Sequence, residues 1–201
     1  MRKCIWVLIA ILVSSVSWGK EPLVGREAAQ KYFDKEPRTT TFSEGDSLLM
    51  LHVGGYVNSQ SYLWKGSEKR EGVAKATYGI TYLVDQWSGF DVDIRADFTE
   101  YVLDEVRPTK LSVMPLFTFP KAESRFPLYF GFGAGLGIFF TQVEGESNLS
   151  MDYQLIAGTR FINLMGNFGL FAEYGLKNHL HVLSDGQLNG TFLSGGAVFS
   201  F

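Results

Sequence analysis

Between Leu128 and Gln142 the chain reads LYFGFGAGLGIFFTQ. Leu128, Phe130, Phe132, Ala134, Leu136, Ile138 and Phe140 take the even positions; Tyr129, Gly131, Gly133, Gly135, Gly137 and Thr141 fall on odd ones. Successive strand residues face opposite sides, so one face is an apolar wall and the other is nearly bare backbone. Soluble strands average about 5–6 residues. This segment is longer, and it suits a tilted membrane strand, in which about 9–11 residues cross the apolar layer.

The alternation recurs. Phe90, Val92, Ile94, Ala96 and Phe98 oppose Asp91, Asp93, Arg95, Asp97 and Thr99. Ala74, Ala76, Tyr78, Ile80, Tyr82 and Val84 oppose Lys75, Thr77, Gly79 and Thr81. Tyr153, Leu155, Ala157, Thr159 and Phe161 oppose Asp152, Gln154, Gly158 and Arg160; Phe168, Leu170, Ala172, Tyr174 and Leu176 oppose Gly169, Glu173, Gly175 and Lys177. A soluble sandwich would turn the apolar face inward. Charges at mid-strand on the other face fit a polar lumen with lipid outside.

Eight candidate strands follow, near 47–62, 71–85, 88–102, 107–119, 127–143, 148–162, 165–178 and 188–201. The expected fold is all-β: an eight-stranded antiparallel up-and-down transmembrane β-barrel. An even count lets the sheet close, and an open edge in lipid would leave backbone groups unsatisfied. Short turns are expected at Asp85–Trp87, Pro120–Phe126 and Asn163–Leu164. The opposite rim takes loops near Lys65–Arg70, Leu103–Val106, Glu144–Ser147 and His179–Gln187. Two features resist this pattern. Pro115 lies in mid-strand without an N–H to give, which calls for a bulge. The first strand is irregular, with a continuous apolar run Leu48–Leu51 and with His52, Tyr56 and Asn58 expected to point inward.

The N-terminus supplies a compartment. Arg2 and Lys3 precede an apolar run from Ile5 to Val13, and Ser17 and Gly19 are small residues placed for a cut before Lys20. That layout is a secretory signal peptide, and the run is too short for a spanning helix. The expected organisation is a signal peptide over 1–19, a periplasmic lead-in over 20–45 (a partial plug that could carry a short helix near Gly25–Phe33, or a disordered linker) and a barrel over 46–201. The single cysteine, Cys4, lies in the presumed signal, so no disulfide is expected in the mature chain. Losing Arg2 and Lys3 leaves 16 basic against 21 acidic residues, a net of −5. With no basic cluster, nucleic acid is excluded as a partner.

The last residues, Leu193-Ser-Gly-Gly-Ala-Val-Phe-Ser-Phe201, resemble the closing strand of outer-membrane barrels, with Leu193, Ala197, Phe199 and Phe201 on one face. Together with Leu128–Gly137, this strand resembles the OmpA-like family of small outer-membrane β-barrels over roughly residues 46–201. The resemblance implies a bacterial outer-membrane location among lipid and lipopolysaccharide. It also implies that Phe199 and Phe201 are the signal read by the barrel-assembly machinery; a monomer is expected because the closed eight-strand count leaves no obvious second interface.

Candidate chemistry is sparse. The glycines at 131, 133, 135 and 137 repeat every second residue, without G-x-G-x-x-G spacing, and so are read as small lumen-facing residues. Lys75, Asp93, Arg95, Asp97, Lys110, Arg160, Glu173 and Lys177 are expected to form a mixed-sign network inside the barrel, with Lys75 near Asp97 and Thr77 opposite Arg95. Eight strands enclose just enough room for side chains, so this network is read as a plug, with a narrow pore as the alternative. His179, His181 and Ser184 bear a partial likeness to the His-x-Ser-Asn motif of lipid A deacylase barrels. Their spacing differs and the Asn is absent. No catalytic residue, metal site or cofactor is therefore assigned. Aromatic girdles are expected, with Tyr82, Trp87, Phe119, Phe126, Phe161, Phe168 and Phe201 at one rim and Tyr62, Trp64, Tyr101, Phe140 and Tyr174 at the other. The expected role is structural or surface-interacting and non-enzymatic, with a lipid-modifying enzyme or a diffusion pore as alternatives.

Overall fold

The computed structural model describes residues 42, 45–63, 69–102, 107–124, 126–141 and 146–201. The expected signal peptide, nearly all of the lead-in and the loop segments 64–68, 103–106 and 142–145 lie outside the described residues. Trp64 is among them.

Nine strand segments follow one another: β1 (Leu48–Leu63), β2 (Lys69–Glu71), β3 (Ala74–Trp87), β4 (Phe90–Tyr101), β5 (Thr109–Phe119), β6 (Leu128–Phe139), β7 (Leu149–Met165), β8 (Phe168–His181) and β9 (Gly186–Ser200). All pairings are antiparallel: β1 pairs both β2 and β3, each strand from β3 to β8 pairs the next, and β1 also pairs β9 from Leu48↔Ser200 to Leu63↔Gly186. The sheet therefore closes on itself and leaves no edge. β2 and β3 are two pieces of one wall strand, because both pair with β1 in a single register. The break between them falls at Gly72, whose φ of 67° suits a residue without Cβ. Ser59 repairs the ladder there: its carbonyl accepts from the Gly72 N–H at 2.7 Å and its hydroxyl from the Ala74 N–H at 2.8 Å. The barrel thus has eight wall strands.

The faces follow the alternation. Leu136 is 60% exposed on the outer wall, whereas Asp91 on the inner face is fully buried. Among the described residues no helix is long and apolar enough to cross a membrane. Aromatic rings contact one another around the rim where β3 turns into β4. Trp87–Phe90, Phe90–Phe117 and Phe117–Phe132 follow in sequence at 5.3–5.8 Å, with Phe168–Phe199 and Tyr82–Phe201 on the far side.

Several local expectations are corrected. The turns fall later than expected, at Ser88–Gly89 and Gly166–Asn167, because β3 and β7 stay paired through Trp87 and Met165. Pro115 needs no bulge. It keeps its place opposite Ile94, while the ladder to β6 skips Met114 and Pro115 and resumes in the same register. A bulge does interrupt β1, between Tyr56 and Asn58, and it turns Asn58 outward. Tyr101 joins no girdle, because it is buried inside the barrel.

The interior is also less purely polar than expected. Leu48, Met50, Leu116, Tyr129, Ile156, Phe171, Phe192 and Val198 pack together with Phe42. A second cluster of Val73, Ala74, Tyr101, Phe139 and Leu188 lies towards the loop rim. The barrel core is therefore side chain throughout, with charges embedded among apolar groups.

Candidate functional site: the lumenal ion-pair network

Inward positions on β4, β5, β7 and β8 bring four cationic side chains (Arg95, Lys110, Arg160, Lys177) and five carboxylates (Asp91, Asp93, Asp97, Asp152, Glu173) into the interior, all buried. Buried charge is costly unless paired and hydrogen-bonded, and most of these groups are both.

The network has three tiers. Near the turn rim, Asp91 accepts from the Ala122 N–H at 2.7 Å, from Gln86 Nε2 at 2.9 Å and from Arg160 Nη2 at 3.1 Å. Arg160 also donates to the Pro120 carbonyl at 2.6 Å, and its guanidinium lies 4.8 Å from the Tyr129 ring centre. Among the described residues Asp93 accepts only from the Thr118 hydroxyl, at 3.1 Å.

At the centre, Arg95 joins two carboxylates. Its Nε donates to Asp97 at 3.0 Å and its Nη1 to Glu173 at 2.8 Å. Its Nη2 lies 3.1 Å from His52 Nε2, which is itself 2.9 Å from Asp97. Lys177 donates to Asp97 Oδ2 at 2.5 Å. The Tyr129 hydroxyl donates to Glu173 at 2.6 Å. The fork of the guanidinium suits it to span two acids, whereas an ammonium would satisfy one geometry at a time.

Towards the loop rim, Asp152 accepts from Lys110, from the Ser112 hydroxyl and, at 2.7 Å, from the Ser150 hydroxyl. His179 Nδ1 lies 2.9 Å from Asp152, and its Nε2 lies 2.7 Å from the Tyr101 hydroxyl.

Glycine makes room for this chemistry. A Cβ on Gly137 would meet the Lys110 side chain, the Asp152 carboxylate and the Ser150 hydroxyl within 2.6 Å. A Cβ on Gly79 would meet Asp97 and His52 within 2.6 Å. These bare positions on β6 and β3 leave space for long polar side chains from other strands.

The structure places Asp93, Arg95, Asp97, Lys110, Arg160, Glu173 and Lys177 inside the barrel. Lys75 is the exception and is corrected: it is exposed, and Gly79, not Lys75, pairs with Asp97. Two features account for this: the turn at Ser88–Gly89 with the shift between Leu83 and Asp85 sets Gly79 opposite Asp97, Thr77 opposite Thr99 and Thr81 opposite Arg95, and a second shift between Ala74 and Thr77 sends Ala74 inward in place of Lys75. Asp152, His52 and His179 belong to the network although they were not among its expected members. For Asp152 and His52 the signal was their inward parity; for His179 it was the odd-numbered alternation of β8, which continues through Lys177, His179 and His181 instead of breaking into a loop. The His–Ser pair is not assembled. Ser184 Oγ bonds the Glu146 carboxylate, and His181 Nδ1 meets the Ser147 carbonyl at 2.7 Å. Among the described residues no hydrogen bond joins His181 to Ser184. Nor does any group of three or more His, Cys, Asp or Glu side chains suit a metal ion. Phe199 and Phe201 lie on the outer wall of the turn rim, Phe199 against Phe168 at 5.7 Å and Phe201 stacked on Tyr82 at 6.5 Å.

No protein-family model matches the chain. No curated protein matches it either. Solved structures do. Neisserial surface protein A superposes with a TM-score of 0.53 at 14% identity, covering 79% of this chain and 100% of that one. The N-terminal β-barrel domain of Pseudomonas aeruginosa OprF gives 0.42 at 15% identity, covering 79% and 98%. The outer membrane enzyme PagL gives 0.40 at 17% identity, covering 74% and 97%. This chain has the fold of a small outer-membrane barrel. Sequence identity this low carries the architecture and nothing of the activity.

Proposed function

We propose that this barrel, seated in a bacterial outer membrane, is a non-enzymatic structural or surface-interaction protein whose lumen is plugged. One observation carries the reading: Arg95 and Lys177 both reach Asp97 in the barrel centre, and Glu173 holds Arg95 from the other side. A set of buried pairs this mutually satisfied crosslinks β4 to β8 and leaves its charges engaged with one another rather than with passing ions. Lipopolysaccharide contact at the outer wall, assembly through β9 by the barrel machinery and a monomeric state belong to the same reading.

The test uses the full mature chain in lipid bilayers and, in parallel, with lipopolysaccharide. Conductance should stay near background and no fatty acid should be released. Steady ion-selective conductance would move the protein to the transport class. Acyl release abolished by Ser184→Ala or His181→Ala would make it a lipid-modifying enzyme.

A further inference from the structure

The outer wall is apolar almost everywhere, but one part of it is not. The bulge between Tyr56 and Asn58 sends Ser59 inward, so Asn58 and Gln60 face out. On the neighbouring strands Gln60 pairs with Asn189, Asn189 with Asn178, and Asn178 with Tyr153, making one polar rung across four strands. The next rung runs Asn58, Thr191, Leu176, Leu155 and is polar at one end and apolar at the other. Between the rungs lies a groove of about 240 Å³.

We propose that this groove seats one lipid with an uncharged head rich in hydroxyl or amide groups, a neutral glycolipid, with an acyl chain along Leu155 and Leu176. The proposal rests on the membrane reading of the barrel. Three observations favour such an occupant. Asn58, Gln60 and Thr191 make no side-chain hydrogen bond among the described residues, so their donors and acceptors are open to a ligand. The remaining polar groups are held in place: Asn178 bonds the Tyr153 hydroxyl, and Gln187 donates to Asn189 at 3.0 Å. Among the described residues no charged side chain lines the groove, so a phosphate head would find no counter-charge there, whereas amides both give and accept and match hydroxyls well. Facing hydrocarbon alone, the same amides would be unsatisfied. The leucines then continue the site for an acyl chain.

The experiment inserts the full mature chain into phosphatidylcholine nanodiscs containing a minor fraction of monogalactosyl diacylglycerol or of phosphatidylglycerol. Retained lipid is read by native mass spectrometry after release. The wild type should keep the galactolipid selectively. The triple substitution Asn58→Leu, Gln60→Leu, Asn178→Leu should lower retention by roughly tenfold or more, while Tyr153→Phe, which removes only a hydroxyl, should lower it by a smaller factor. Equal retention by wild type and triple variant would overturn the proposal, as would preference for phosphatidylglycerol. A wild-type dimer that the triple variant abolishes, with no lipid retained, would assign the groove to a second copy of the chain and overturn it too. Heat-modifiable migration on gels is scored on the same samples. Wild type that inserts but keeps no glycolipid sinks this site alone, and wild type that does not insert sinks the membrane reading with it.

Discussion

Lys177 on β8 meets Asp97 on β4 at 2.5 Å, across the interior of the barrel. The two residues are 80 positions apart in sequence, and neither strand borders the other. The contact therefore acts as a strut between opposite walls, and it is the partner that Asp97 takes in place of Lys75.

Removing one side of that strut strands charge. Asp97→Ala leaves Arg95 and Lys177 without their shared acid and should cost about 3–5 kcal/mol. Lys177→Ala should cost less, because Arg95 still holds Asp97, and the double variant should lose less than the sum of the two. Lys75→Ala, at an exposed site, should stay within about 0.5 kcal/mol. Urea midpoints in bilayers check all four. A loss at Lys75 matching that at Asp97 would contradict the register.

Asp93 should behave in the opposite way. It is buried, yet among the described residues it forms no ion pair and holds only the Thr118 hydroxyl. Asp93→Asn keeps the shape and removes the uncompensated charge, so stability at neutral pH should be unchanged or higher. Asp97→Asn, which breaks two ion pairs, should be clearly destabilised in the same assay. A drop at Asp93→Asn equal to that at Asp97→Asn would show that Asp93 has a strong partner.

Gly137→Val should block folding or lower its yield sharply, because branches at that site would overlap Lys110, Asp152 and Ser150. Gly89→Ala touches no packed atom but sits at φ 130° in the turn between β3 and β4, so its cost should come from backbone strain alone. Refolding yield into detergent separates the two. Equal yields would mean that the interior around Gly137 is loose.

On the outer wall, Leu136→Arg should destabilise by roughly 2–4 kcal/mol if the site is near the bilayer midplane, since a charge there faces hydrocarbon. Leu136→Ile should be nearly silent. The check is the unfolding midpoint in bilayers of fixed thickness. An unaffected Leu136→Arg variant would place that residue outside the apolar layer.

The sequence by itself determined the architecture. Period-two alternation assigns each residue a face, and strands long enough to span lipid with charges on the hidden face admit only a closed barrel. Asp93, Arg95, Asp97, Lys110, Arg160 and Glu173 were legible as interior for that reason. Register was not legible. One extra residue at a bulge reverses every face beyond it, so the shift near Ala74 put Lys75 outside, and the one after Tyr56 turned Asn58 and Gln60 out to build the groove. Pairings such as Lys177 with Asp97 and His179 with Tyr101 were also decided only in three dimensions. They join strands that share no hydrogen bonds, and barrel curvature alone sets which side chains meet across the interior.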